Sequence, residues 1–293
     1  MAFPLEANLQ AAALAVLSSA LFGAALVTTH SGLKHLDAPT GARVSIPSAT
    51  LMFWMLSPVL DLAGWQAAAL GIFALVGLFY PAAVTLLTFE ANRRLGPTVT
   101  GTVGSTTPLF AVLGAAVFLG ESLGARELFA TSLIVLGSIA LSRPRTTDRE
   151  GRQRSALWLP WSAAALRALA QVMSKAGLAL WPNPFAAALV GYTVSSAAVW
   201  ASALGRRVNK PAFNRRGVAW FAATGILNGA ALLSLYHALN AGPVYLVSPI
   251  VATYPVFTLM LSAAVLREER LSGALIAGVA LTVVGVVVLI AQW

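Results

Sequence analysis

A stretch near the end of the first half of the chain comes back in the second. Leu95 to Leu141 reads LGPTVTGTVGSTTPLFAVLGAAVFLGESLGARELFATSLIVLGSIAL, and Ala241 to Leu289 reads AGPVYLVSPIVATYPVFTLMLSAAVLREERLSGALIAGVALTVVGVVVL. Gly96-Pro97 answers Gly242-Pro243, Pro108 answers Pro255, and Phe110 answers Phe257. Leu119 and Glu121 answer Leu266 and Glu268, and Gly137 answers Gly285, so the offset drifts only from 146 to 148 residues. Each copy is an apolar span, a short acidic hinge and a second apolar span rich in small residues. Two such copies in one hydrophobic chain are the pattern of a duplicated membrane bundle.

Composition supports this. The 293 residues are 58% hydrophobic and 10% charged, with a mean hydropathy of +0.79, whereas soluble domains carry about a quarter charged residues. Cysteine is absent, which excludes disulfides and thiol chemistry. The net charge of +9 suggests nucleic acid until its distribution is seen: sixteen of the nineteen Lys and Arg fall in alternate loops between apolar spans. That is a topology signal, and nucleic acid is not an expected partner. Met1 to Gln10 carries Glu6 and no basic residue, so no cleaved signal peptide is expected.

A helix needs about 20 apolar residues to cross the hydrocarbon. Ten stretches reach or approach that length: Leu9–Thr29, Val44–Leu62, Gln66–Thr88, Thr98–Leu119, Glu127–Ser142, Trp158–Leu180, Phe185–Leu204, Gly217–Tyr236, Pro243–Leu266 and Ser272–Trp293. The polar run Arg143–Ser155 parts the halves, giving a first five-helix unit over 1–142, a basic linker over 143–156 and a second unit over 157–293. The loops after spans one, three, five, seven and nine hold Lys34, Arg43, Arg93, Arg94, the linker arginines, Arg206, Arg207, Lys210, Arg215, Arg216, Arg267 and Arg270. The other side has only Arg126, which places the basic loops in the cytoplasm and both termini outside. Five spans per unit is odd, so the units enter the membrane in opposite senses. The expected fold is an all-α integral membrane protein of ten transmembrane helices, two inverted five-helix repeats around a central cavity.

Within the spans, prolines come first. Tyr80-Pro81 lies mid-way in span three, Thr107-Pro108 in span four, and Ser248-Pro249 and Tyr254-Pro255 in span nine. Each removes one helical hydrogen bond and bends the span, and the freed carbonyl must find a neighbouring helix or water. Simple bending for packing is one reading; breaks on corresponding spans of both halves point to a midplane binding site. Thr98, Thr102, Ser105 and Thr106 share one face of span four, Tyr245 and Ser248 lie on span nine, and Asn228 sits mid-way in span eight. Such groups either join helices or line water. Arg167 lies about 13 Å into span six at helical rise, and an intramembrane cation is a functional signal unless it snorkels along the Trp158–Trp161 face. Lys175 is nearer the outer end, where snorkelling explains it; it falls where His30 falls in the first half, so both are candidates for a gate or rim.

What is missing also informs. No acidic residue lies near a span's midplane, since Asp61, Glu90 and Glu127 sit at helix ends. Proton-driven export of cationic drugs generally needs a carboxylate there. His30, His35 and His237 show no metal spacing, and no nucleophile–base pair or phosphate loop appears. Neither an enzyme nor a cofactor is expected. Small residues crowd the last span of each half, with Ser132 and Gly137 in span five and Gly273, Ala277, Gly278 and Gly285 in span ten. Close packing within a monomer is the expected role, with dimerisation the lesser alternative.

The pattern Pro108…Leu119-Gly120-Glu121…Gly137, repeated as Pro255…Leu266-Arg267-Glu268…Gly285, resembles the duplicated EamA-type unit of the drug/metabolite transporter superfamily. The resemblance covers nearly the whole chain; Arg267 stands where the family usually shows glycine. Within the superfamily the chain is most similar to bacterial YddG-type exporters of aromatic and other neutral amino acids. The resemblance implies a cavity formed by spans one, three, four, six, eight and nine, with five and ten bracing it. It implies an inner-membrane exporter of neutral, chiefly aromatic and other apolar amino acids working by alternating access; a same-fold carrier of another small metabolite (nucleotide sugar, nucleobase or drug), or a non-transporting membrane scaffold or sensor, are the alternatives. On this reading Arg167 attracts the substrate carboxylate, while Thr102, Ser105, Asn228 and Ser248 hydrogen-bond its polar end. Tyr80, Trp161 and Tyr245 form aromatic walls, and Pro81, Pro108, Pro249 and Pro255 serve as hinges or gates.

Overall fold

A computed structural model describes residues 5–59, 63–141, 156–204, 214–266 and 273–290. Asp61, Ser142, the 143–155 linker, Arg206, Arg207, Lys210, Arg267, Glu268, Arg270, Ser272 and Trp293 lie outside the described residues. The described residues form helices and turns, with no strand among them. In chain order these are α1 (Leu5–Leu33), α2 (Ala38–Leu56), α3 (Ala67–Phe79), α4 (Ala82–Gly104), α5 (Thr107–Leu119) and α6 (Ala125–Leu141). There follow α7 (Trp158–Leu180), α8 (Pro184–Leu204), α9 (Arg215–Ala241), α10 (Val244–Val251), α11 (Tyr254–Leu266) and α12 (Gly273–Ile290).

Local chemistry sets several ends. Asp37 caps α2 by accepting the Thr40 N–H at 3.0 Å, with Pro39 in the first turn where its missing N–H costs nothing. Asn214 caps α9 through the N–H groups of Arg216 and Gly217. Gly120 ends α5 at φ +66°, a left-handed position that glycine takes without penalty. The expected second span begins six residues early, because Asp37 and Pro39 start the helix ahead of its apolar run and draw Arg43 into it.

Among the described residues five helical stretches are long and apolar enough to cross a membrane: Glu6–Leu33, Ala67–Leu95, Pro184–Ser202, Arg215–Ala241 and Val244–Ser262. Thr107–Leu119 and Ile276–Ile290 are apolar but shorter. The count is below the expected ten because α5, α6 and α12 are short, while α2 and α7 interleave polar and charged residues with apolar ones.

The breaks fall where the prolines predict. The third span divides at Tyr80-Pro81 into α3 and α4. The fourth divides at Ser105-Thr106, two residues before Pro108, and the ninth at Ala252-Thr253, two before Pro255. At each of these two sites a threonine hydroxyl donates to the carbonyl three residues back, Thr106 to Val103 at 2.6 Å and Thr253 to Ile250 at 2.7 Å. Pro249 lies within α10 rather than at a break.

Helix α4 is not straight. Thr88 and Gly104 would lie about 24 Å apart on a straight helix. Yet Thr88 Oγ1 is 3.4 Å from Arg167 Nη2, and a Cβ built on Gly104 would lie 3.6 Å from Arg167 Nη1. The chain therefore turns back between them, through the stretch holding Arg93, Arg94 and Gly96-Pro97. The loop expected there falls within the helical stretch Ala82–Gly104.

Close contacts in one half recur in the other. A Cβ on Gly77 (α3) would lie 2.7 Å from the Gly191 carbonyl (α8), and one on Gly225 (α9) would strike the Ser45 carbonyl (α2). Gly225 stands 148 residues after Gly77, and Gly191 stands 146 after Ser45. Where α6 crosses α12, a Cβ on Gly137 would lie 2.7 Å from the Gly278 carbonyl and one on Gly285 would lie 2.9 Å from the Ala130 carbonyl. The crossing is reciprocal, and it is packing within the chain that uses this small-residue face. Elsewhere α1 packs along α9, α4 and α5 along α7, and α3 along α8.

Candidate functional site

A cavity of about 100 Å³ opens among α1, α2, α4, α7, α9 and α10 and the chain breaks beside them. That is room for several waters. Its walls include Thr29 near the end of α1, Ser45 early in α2 and Pro160 near the start of α7. Those helix ends adjoin the basic segments, so the cavity is skewed toward the basic end of the bundle.

Arg167 is the one charged side chain among the described residues that line it. It is partly buried in α7. The guanidinium reaches Thr88, faces the Tyr80 hydroxyl, and acts on Tyr254, whose hydroxyl hydrogen-bonds Ser105. Elsewhere Glu90 pairs with Arg93 and Arg94, at 2.6 and 2.5 Å. Among the described residues Arg167 thus meets hydroxyls rather than a carboxylate, an arrangement suited to an incoming anionic group.

Two further lining groups are buried without a partner. Gln171 stands one turn beyond Arg167, and its Oε1 has no hydrogen bond; neither has the Oγ of Ser248. The apolar wall combines five aromatics, Phe22, Tyr80, Phe89, Tyr192 and Tyr254, with aliphatic side chains.

Of the residues singled out in the sequence, Tyr80, Pro81, Arg167, Asn228 and Ser248 line this cavity. Ser105 is fully buried just behind it, through Tyr254, and the Thr102 side chain lies outside the described residues. Trp161 does not reach the cavity: it lies on the outer face of α7, 43% exposed, with its ring edge-on to Phe110 at 6.0 Å. Tyr245 sits at the start of α10, where its N–H donates to Glu121 at 3.2 Å. His30 is in the last turn of α1, off the cavity, while Pro108 and Pro255 open α5 and α11 and are buried.

Lys175 is held by backbone at the bundle end where snorkelling would take it. Its Nζ donates to the carbonyls of Leu239 and Gly242 at 2.5 and 2.9 Å, at the end of α9 where orphan carbonyls favour a cation.

The sequence reading missed Gln171, Phe22, Phe89 and Tyr254. A polar residue four positions after an intramembrane arginine shares its helix face, and that signal was available for Gln171. The aromatics carried none, because apolar residues surround every helix of this chain.

The EamA-like transporter family matches the chain twice, over residues 9–143 and 154–291. The chain belongs to the EamA-like transporter family. It is accordingly a multi-pass membrane protein with a duplicated unit, from a family of small-molecule transporters rather than enzymes. Solved structures match as well; one crystal structure is 18% identical with a TM-score of 0.78, covering 94% of this chain and 95% of its own, and that likeness shows the fold alone. No curated protein matches the chain.

Proposed function

We propose that this EamA-like transporter exports neutral amino acids, chiefly aromatic and other apolar ones, across a bacterial inner membrane by alternating access. One observation carries the reading: an arginine with no carboxylate partner among the described residues, in a cavity whose wall includes five aromatics, beside buried polar atoms without partners. Arg167 binds the carboxylate, the tyrosine and phenylalanine walls take the side chain, and Asn228 and Ser248 bond the polar end, with Ser105 acting through Tyr254.

The architecture proposed is ten spans in two inverted repeats, over 1–142 and 157–293, joined by the basic linker. Support comes from the paired contacts at Gly77 and Gly225, the reciprocal Gly137 and Gly285 crossing, and the matched breaks before Pro108 and Pro255. The basic segments face the cytoplasm and the termini face outward. The cavity, skewed toward the basic end, then faces the cytoplasm and is ready to load cargo for export. Its presence weighs against a packed scaffold or sensor.

The test is uptake of radiolabelled amino acids into proteoliposomes, with and without an imposed pH gradient. Flux of phenylalanine and other neutral amino acids supports the reading, and indifference to pH marks a facilitator. Absence of flux with folded protein in the vesicles sinks the amino-acid assignment and turns the search to other small metabolites.

A further inference from the structure

We infer that Gln171 is the residue that recognises the α-ammonium group, making the cavity selective for amino acids over the corresponding simple carboxylic acids. The inference rests on the amino-acid reading above and adds to it the residue that decides between these two cargo classes.

A zwitterion brings two charges into the cavity. Arg167 meets the negative one, and no described lining residue is acidic, so neutral dipoles must meet the positive one. The lining acceptor that lacks a donor and shares a helix face with Arg167 is Gln171 Oε1. Gln171 is 2% exposed, so its amide is held by packing and its acceptor has given up water without a protein donor in return. Arg167 and Gln171 are an i, i+4 pair, whose Cβ atoms lie about 5–6 Å apart on one face. The carboxylate and ammonium of an α-amino acid are carried on the same α-carbon, so two such side chains can hold both groups of one ligand. Ser248 Oγ, also buried and unpartnered, approaches from α10 and supplies a second acceptor. The ammonium offers three N–H donors, enough for both.

A simple carboxylic acid of the same shape would satisfy Arg167 and leave Gln171 Oε1 as it is. Sites built to hydrogen-bond a ligand's N–H discriminate strongly against analogues lacking it, because the protein group stays unpaired.

The experiment measures binding of phenylalanine and 3-phenylpropanoate to the purified full-length protein, for wild type, Gln171→Met and Gln171→Glu. Met keeps the volume and removes the acceptor; Glu keeps an acceptor and adds charge. Wild type is expected to prefer phenylalanine, Gln171→Met to lose that preference by about tenfold or more, and Gln171→Glu to retain or sharpen it. Equal weakening of both ligands by Gln171→Met, or no change in either, overturns the inference while leaving the amino-acid reading intact. If Gln171→Met fails to fold, loss of the preference in Gln171→Glu overturns it as well. Binding of neither ligand by wild type removes the amino-acid reading and this inference with it.

Discussion

Ser195 of α8 donates its hydroxyl to the carbonyl of Gly77 in α3 across 2.5 Å. In a continuous helix that carbonyl would accept from residue 81, and Pro81 has no N–H to give. The same Ser195 oxygen accepts the Ala82 N–H at 3.1 Å, so one side chain serves both backbone groups exposed by the break. It comes close enough because Gly77 carries no Cβ, which would lie 2.7 Å from the Gly191 carbonyl and 2.9 Å from Val194 Cβ.

Ser195→Ala is therefore expected to destabilise the protein by about 1–3 kcal/mol, the cost of an unsatisfied buried polar group. It would be read as a lower unfolding temperature in detergent. Ser196→Ala, at a partly buried neighbour, serves as the control. Equal melting of Ser195→Ala and wild type would mean that the break is satisfied in some other way.

At the end of the bundle away from the cavity's mouth, Glu121 accepts the N–H groups of Val244 and Tyr245 at 2.9 and 3.2 Å, the first two residues of α10. Lys175 holds the last carbonyls of α9. A carboxylate on a helix start and an ammonium on a helix end thus pin the Gly242-Pro243 junction from both sides. On the alternating-access reading, Glu121→Ala should loosen this end. Because the chain has no cysteine, Ser174→Cys can report it. This fully buried site should react with a water-soluble thiol reagent about tenfold faster or more once Glu121 is replaced. An unchanged rate would show that the carboxylate takes no part in closing this end.

How much of this was legible depends on what each residue signals. Trp158–Leu180 was readable end to end because turn and linker residues bound an uninterrupted apolar run. The breaks at Pro81, Pro108 and Pro255 were readable because a missing N–H is a chemical fact of the residue. The inward aim of Arg167 was open, since a long side chain can snorkel or turn in, and only the position of Thr88 settles it. Trp161 was misplaced because helix phase comes from alternation of polar and apolar residues, and α7 is apolar around most of its start. The partners of Lys175 were not readable, because the carbonyls ending α9 are backbone atoms some 65 residues away with no side-chain signature. Ser195 escaped for the same reason.

The α6–α12 crossing makes its own prediction. Cβ atoms at Gly137 and Gly285 would lie under 3 Å from backbone carbonyls, which cannot swing aside as a side-chain tip does. Gly137→Ala and Gly285→Ala should each cost about 1–3 kcal/mol by overpacking. Gly71→Ala meets nothing within 4 Å and should be neutral or stabilising. Unfolding temperatures of the three variants check the contrast, and a loss at Gly71 matching the other two would remove the packing argument.

Arg167 separates function from stability most sharply. A cation inside a bundle without a carboxylate partner is a cost to the fold, about 2.5–3.5 kcal/mol on insertion scales. Replacing such a charge with an apolar residue of similar length should leave stability unchanged or raise it. Arg167→Met is accordingly expected to unfold at or above the wild-type temperature while its affinity for phenylalanine falls about tenfold or more, the loss of one charged hydrogen bond. Phenylalaninamide, which keeps the amine and the ring but has no carboxylate, should bind the variant no worse than wild type, since the repulsion between two cations is gone. A variant that loses stability along with affinity would make Arg167 a structural residue. One that transports phenylalanine at the wild-type rate and affinity would remove it from the binding site.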